Sequence, residues 1–170
     1  DDYVCVGPAW GWAQNAPFKR HKSWVHEGGI TTPLVAWWPG QVPAGTVNRE
    51  PAHIIDFLPT FLDLAGTKFP KEFKGREVMP IDGRSMVALL RGEKRERATY
   101  YAWFWAGNRV YRRGDRKLVW DSLIKKWELY DLARDRCETV DLSKKYPEEV
   151  KSLSEAWFAW AKKTGVRVKR

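Results

Sequence analysis

The chain of 170 residues carries 30 Lys and Arg against 21 Asp and Glu, a formal charge of +9, with 44% hydrophobic and 30% charged residues. That balance is too apolar for a disordered tail, and no stretch reaches the roughly 18 consecutive apolar residues of a membrane-spanning helix. There is material for one ordinary domain or two small ones, and 11 Trp beside 6 Tyr and 7 Phe predict a rigid core or a ring-lined cleft.

From Asp1 to Pro33 no period of two or 3.6 is sustained, so this stretch reads as a long ordered loop, a kind of segment that tends to be functional. Leu34-Val35-Ala36-Trp37-Trp38, closed by Pro39-Gly40, predicts a short strand buried on both faces. Gln41 to Glu50 is a polar connection. Asp56 is placed to cap a helix with Pro59 in its first turn, Phe57, Leu58, Phe61, Leu62 and Ala65 on one face, and Gly66 as its stop. A basic loop, Lys68 to Pro80, leads to a shorter helix from Ser85 to Leu90, and Arg91 to Arg97 reads as a linker.

Strands follow at Thr99 to Trp105, Asn108 to Arg113, Lys117 to Trp120 and Lys126 to Tyr130, with a hairpin turn at Gly114-Asp115. Four short, closely joined strands predict an antiparallel meander. Pro147 opens a last helix with Glu148 and Glu149 in its first turn and Lys162, Lys163 and Gly165 at its end. Its stripe of Val150, Leu153, Trp157 and Trp160 is suited to cover one face of the meander.

No GxSxG elbow, P-loop, HExxH or Rossmann fingerprint is present. Cys5 and Cys137 are too far apart for a CxxC pair or a zinc knuckle, which leaves at most one disulfide, and His21, His26 and His53 are too few and too irregularly spaced for a zinc set. Nothing at the start has the layout of a signal peptide, so the sequence assigns no compartment. The densest cluster of polar chemistry runs from Phe18 to Ile30, where Lys19, Arg20 and Lys22 alternate with aromatics and Glu27 precedes Gly28-Gly29. Paired glycines mean that the backbone turns sharply or comes close to something.

Asn15-Ala16-Pro17-Phe18, then Lys22 to Ile30 and Thr32-Pro33-Leu34, resemble the late catalytic-domain segment of type I sulfatases of the arylsulfatase family. The likeness continues in order through His53 to Asp56, Pro59-Thr60, Leu62 to Gly66, Asp82 to Ser85 and Leu89 to Gly92. Gly114 to Leu118 and Glu128 to Leu132, with Asp135 and Glu138, are similar to the family's small C-terminal subdomain. The resemblance implies an α/β fold: residues 1–92 as the end of an alkaline-phosphatase-like catalytic domain, and residues 93–170 as a small α+β subdomain, a four-stranded antiparallel sheet packed by a C-terminal helix.

The implied function is that of the C-terminal part of a sulfuric ester hydrolase, with a sulfate ester as substrate and the N-terminal catalytic portion of the same enzyme as partner. Position by position, the family's sulfate-contacting lysine falls on Lys22. A fixed ammonium suits the charge that a sulfuryl group spreads over its oxygens in transfer. The family's nucleophile is a formylglycine made from a cysteine in a Cys-x-Pro-Ser-Arg-like motif. Neither Cys5, followed by Val6-Gly7-Pro8, nor Cys137, followed by Glu138-Thr139-Val140, stands in one.

The family's divalent cation, calcium or magnesium, takes oxygen ligands from earlier in the catalytic domain, and this chain supplies none of them; Asp1-Asp2 stands in the wrong context for the family's aspartate pair. Implied substrate-binding residues are Trp10, Trp12, Asn15 and His26, the two tryptophans stacking on a leaving group or, equally, packing into a core. Two other readings compete: a basic module binding polyanions, and a structural subunit completing another chain. The basic residues are scattered and carry no nucleic-acid motif, so neither nucleic acid nor membrane is an expected partner. A buried strand cut off from its sheet predicts self-association.

Overall fold

The computed structural model describes residues 7–96 and 98–167. In chain order the helices are α1 (Gly7–Asn15), α2 (Glu27–Ile30), α3 (Phe57–Leu64), α4 (Val87–Leu90) and α5 (Pro147–Lys163). The strands are β1 (Glu72–Phe73), β2 (Arg76–Glu77), β3 (Tyr101–Trp105), β4 (Asn108–Arg113), β5 (Arg116–Asp121) and β6 (Lys126–Asp131). Contacts divide the chain into two units, Asp1–Pro33 with Ala98–Arg170, and Leu34–Arg97. Of the described residues, 7–33 group with the sheet.

In the first unit β3-β4-β5-β6 form an antiparallel meander, as the sequence predicts. Ala106 and Gly107 turn β3 into β4 with φ of 48° and 82°, and Gly114 turns β4 into β5 with φ of 59°. Positive φ in a two-residue turn matches the right-handed twist of the flanking strands. The register pairs Tyr111 with Leu118 and Leu118 with Leu129, and on the opposite face Val110 with Val119. A period of two therefore gives the sheet two apolar faces, and both are covered.

On one face Tyr111, Leu118 and Leu129 pack against Leu153, Trp157 and Ala161 of α5, with Val150 and Trp160 alongside. The Trp157 indole N–H donates to the Trp103 carbonyl at 3.1 Å. On the other face Val110, Val119, Tyr130 and Leu132 pack against Val25. Each fully buried aliphatic side chain here contributes about 1.5–3 kcal/mol, so the segment carrying Val25 is bound to the sheet as an integral layer.

The segment expected to be a loop contains α1. Its helical period was invisible because none of its residues is buried, so no apolar stripe was selected. Cys5 and Asp1-Asp2 lie outside the described residues.

In the second unit α3 forms where the sequence places it, but its entry differs. Asp56 makes no side-chain cap bond to α3. Its carboxylate instead accepts the His53 and Arg84 backbone N–H groups at 3.0 and 2.9 Å and pairs with Arg95 at 3.0 Å. His53 caps the preceding turn, its Nδ1 accepting the Ile55 N–H at 3.2 Å. The basic loop contains the small β1-β2 hairpin, turned at Lys74-Gly75, with arms too short to show alternation.

Leu34 to Trp38 forms no strand, and Val35 and Trp37 are 86% or more exposed. The physical reason is that, among the described residues of its unit, the ladder β1-β2 is the one present and it does not pair with this segment. Phe61 on α3 is likewise 61% exposed. Among the described residues no helix is long and apolar enough to cross a membrane.

Candidate functional site

The Lys19–Ile30 segment lies on the Val25 side of the sheet and is closed on itself. The Gly28 N–H donates to the Lys19 carbonyl at 2.9 Å, and the Trp24 N–H to the His21 carbonyl at 3.1 Å. A Cβ on Gly28 would collide with the Arg20 carbonyl, and one on Gly29 with the Trp24 carbonyl. This close approach is the reason for two glycines after Glu27.

Three ion pairs fasten the loop to the strands. Lys19 bonds Glu128 at 3.2 Å and donates to the Tyr130 hydroxyl at 2.7 Å. Arg20 meets Asp121 at 2.6 Å, with its guanidinium 4.2 Å from the Trp24 ring centre. Glu27 takes the Lys117 ammonium at 2.8 Å, and Lys117 meets Glu138 at 2.8 Å as well. The Glu27 backbone N–H donates to Glu138 at 2.7 Å, and the Thr31 hydroxyl to the Glu27 carboxylate at 2.7 Å. Lys117, Asp121, Glu27 and Glu138 are all buried, so each charge needs its partner.

The electrostatics follow from these partners. Burial pushes the Glu128 carboxyl up, but bonds from His26 and Lys19 outweigh it and bring it down to about 2. Burial likewise raises Glu27, and Lys117 beside it leaves the carboxyl below its ordinary value. Tyr130 is pushed up by burial and by the neighbouring Glu128 carboxylate, so its hydroxyl stays protonated.

Lys22 stands apart from this bonding. It sits in the turn after Arg20, is exposed, and its ammonium has no partner among the described residues, whereas Lys19 and Arg20 of the same basic run are consumed as tethers.

The remaining expected site residues are less alike. Trp10 and Trp12 are 65% and 48% exposed and so lie outside this unit's core. Trp12 lines a cleft of about 390 Å³ with Phe18, Lys19, Cys137 and Thr139. The Asn15 amide donates to the Gly11 carbonyl at 2.7 Å, within α1. His26 is fully buried, its Nε2 on Glu128 at 2.8 Å, and is closed to solvent in this unit.

His26, Asp121 and Glu128 are the described side chains grouped closely enough to hold a metal, with ligand atoms within 4.8 Å of one another. They do not fit a divalent cation, because Asp121 is already neutralised by Arg20 and Glu128 by Lys19. Sequence reasoning gives no site role to Arg20, Asn108, Lys117, Asp121, Glu128 or Glu138. The available signal was a charged residue at alternate positions of an apolar strand face, Lys117 and Asp121 around Val119 and Glu128 beside Tyr130.

Residues 18–156 match the family profile described as N-sulphoglucosamine sulphohydrolase, C-terminal. An uncharacterized sulfatase of Schizosaccharomyces pombe is 30% identical over 98% of this chain and 31% of its own. The N-acetylgalactosamine-6-sulfatase of Sus scrofa is 32% identical over 76% of this chain and 24% of its own. Among solved structures, that of Ps i-CgsB aligns with a TM-score of 0.69 and 26% identity, covering 86% of this chain and 32% of that one. The chain thus spans about a third or less of the length of these relatives. With this match across most of its length, the chain belongs to the sulfatase family and corresponds to the C-terminal region of its members.

Proposed function

We propose that this chain is the C-terminal part of a sulfuric ester hydrolase in which Lys22 contacts the sulfate group. The observation that supports the reading is the division of labour within one basic run: Lys19 and Arg20 are spent on Glu128 and Asp121, and Lys22 is the cation of this run whose ammonium has no partner among the described residues.

The nucleophile, a formylglycine, and the divalent cation, calcium or magnesium, belong to the N-terminal catalytic portion. Described Cys137 is a half-buried free thiol outside any suitable motif. Residues 1–92 end the catalytic domain and residues 93–170 form its C-terminal subdomain. Trp10 and Trp12 face the organic part of the ester, and the apolar groups left open at Leu34 to Trp38 and on α3 meet the N-terminal portion. At the reaction centre, Lys22 opposes the negative charge that grows on the sulfuryl oxygens.

The test is release of inorganic sulfate from a panel of aryl and sugar sulfates by the full-length enzyme and by residues 1–170 alone. The full-length enzyme is expected to hydrolyse at least one ester and the isolated piece none. A full-length enzyme inert toward the whole panel, with its nucleophile motif intact, would overturn the reading.

A further inference from the structure

We propose that Asp121 and Asn108 are positioning residues for the Lys22 ammonium, gripping the turn that carries it from both sides. The inference rests on the reading of Lys22 as the sulfate contact. Lys22 lies between two residues in the left-handed region, Arg20 at φ 68° and Ser23 at φ 82°. Non-glycine residues hold that conformation only where their surroundings impose it.

Here the surroundings are two buried polar side chains. Asp121, the last residue of β5, accepts from Arg20 at 2.6 Å. Asn108, the first residue of β4, donates to the Ser23 carbonyl at 3.2 Å. Their strands pair Arg109 with Trp120, which brings Asn108 and Asp121 to the same end of the sheet.

Neither anchor is free to swing. The second carboxylate oxygen of Asp121 accepts the Leu123 N–H at 2.9 Å, and the Asn108 side-chain oxygen accepts the Ser122 N–H at 3.0 Å. Asp121 is fully buried and Asn108 is 2% exposed. Both residues therefore bond the loop with one polar atom and the β5-β6 turn with the other. A lysine is a point charge on a flexible four-carbon stem, so the place of its ammonium depends on how firmly its backbone is held. The C-terminal sheet supplies that hold, and in this way it serves the reaction without touching the substrate.

The full-length enzyme tests this with a double-mutant cycle read by hydrolysis of 4-nitrophenyl sulfate and by competitive inhibition with inorganic sulfate. K22A is measured first; wild-type hydrolysis by K22A would remove the reading on which the inference rests. Given a defect in K22A, Asp121→Asn is expected to lower kcat/KM about tenfold and weaken inhibition by sulfate by a similar factor. Added to K22A, the same change is expected to cost nothing further. Equal losses in the wild-type and K22A backgrounds, or unaltered kinetics in D121N, would overturn the positioning role. Asn108→Ala, which loosens the other side of the turn and leaves the ion pair intact, carries the same cycle should D121N fail to fold.

Discussion

The Lys117 ammonium, buried on β5, lies 2.8 Å from the carboxylate of Glu27, a residue ninety positions earlier in the chain. The same ammonium meets Glu138, whose carboxylate in turn accepts the Glu27 backbone N–H. Removing one partner from such a set leaves uncompensated buried charge. Lys117→Met is therefore expected to destabilise the protein by about 3–5 kcal/mol in denaturant unfolding, and Glu27→Gln added to it to recover part of the loss. A K117M protein as stable as wild type would show that the pair does not hold the layers together.

Acid should loosen the same layer. The Glu128 carboxyl, near 2 when folded against an ordinary 4.5, ionises at lower pH in the folded than in the unfolded state. Its stabilisation is complete above about pH 4.5 and is lost as the pH falls toward 2. Glu27 is shifted in the same direction. Thermal unfolding followed down this range should show a falling melting temperature, and Glu128→Gln should flatten that fall. An unchanged slope in E128Q would assign the acid lability elsewhere.

The glycine pair gives a steric prediction. Gly28→Ala and Gly29→Ala each drive a methyl into a backbone carbonyl, of Arg20 and of Trp24, and backbone cannot step aside as a flexible side chain can. Each should cost roughly 1–3 kcal/mol and expose the loop to protease. Proteolysis of both variants at the wild-type rate would contradict the close packing.

The open apolar groups predict the behaviour of residues 1–170 when made alone. Val35 at 89%, Trp37 at 86% and Phe61 at 61% exposure lie on a unit with no strand to pair Leu34 to Trp38. Exposed apolar surface of this kind drives association. Light scattering should report oligomers that grow with concentration, and serine at Val35 and Trp37 should reduce them. A monodisperse monomer over a wide concentration range would contradict this.

The sequence made the meander and α5 legible because both faces of the sheet obey a period of two and α5 a period of 3.6, each imposed by burial. It reads α1, which buries nothing, as loop, and it misreads Leu34 to Trp38, an apolar run that the described residues leave exposed. The site was half legible. Lys22 and the glycine pair are local in sequence: the close approach behind the glycines is legible there, and the role of Lys22 rests on resemblance and stays a proposal. Their anchors, Asn108, Lys117, Asp121 and Glu128, lie 85 to 109 residues away from the groups they hold, and the register of the strands brings them to the loop.

The central claim is tested most directly by kcat/KM for sulfate ester hydrolysis by the full-length enzyme carrying Lys22→Ala. Loss of a charge aimed at the reacting oxygens predicts a fall of roughly a hundredfold or more, with the melting temperature little changed because the exposed Lys22 side chain has no partner among the described residues. Hydrolysis at the wild-type rate by a correctly folded K22A enzyme would contradict the account.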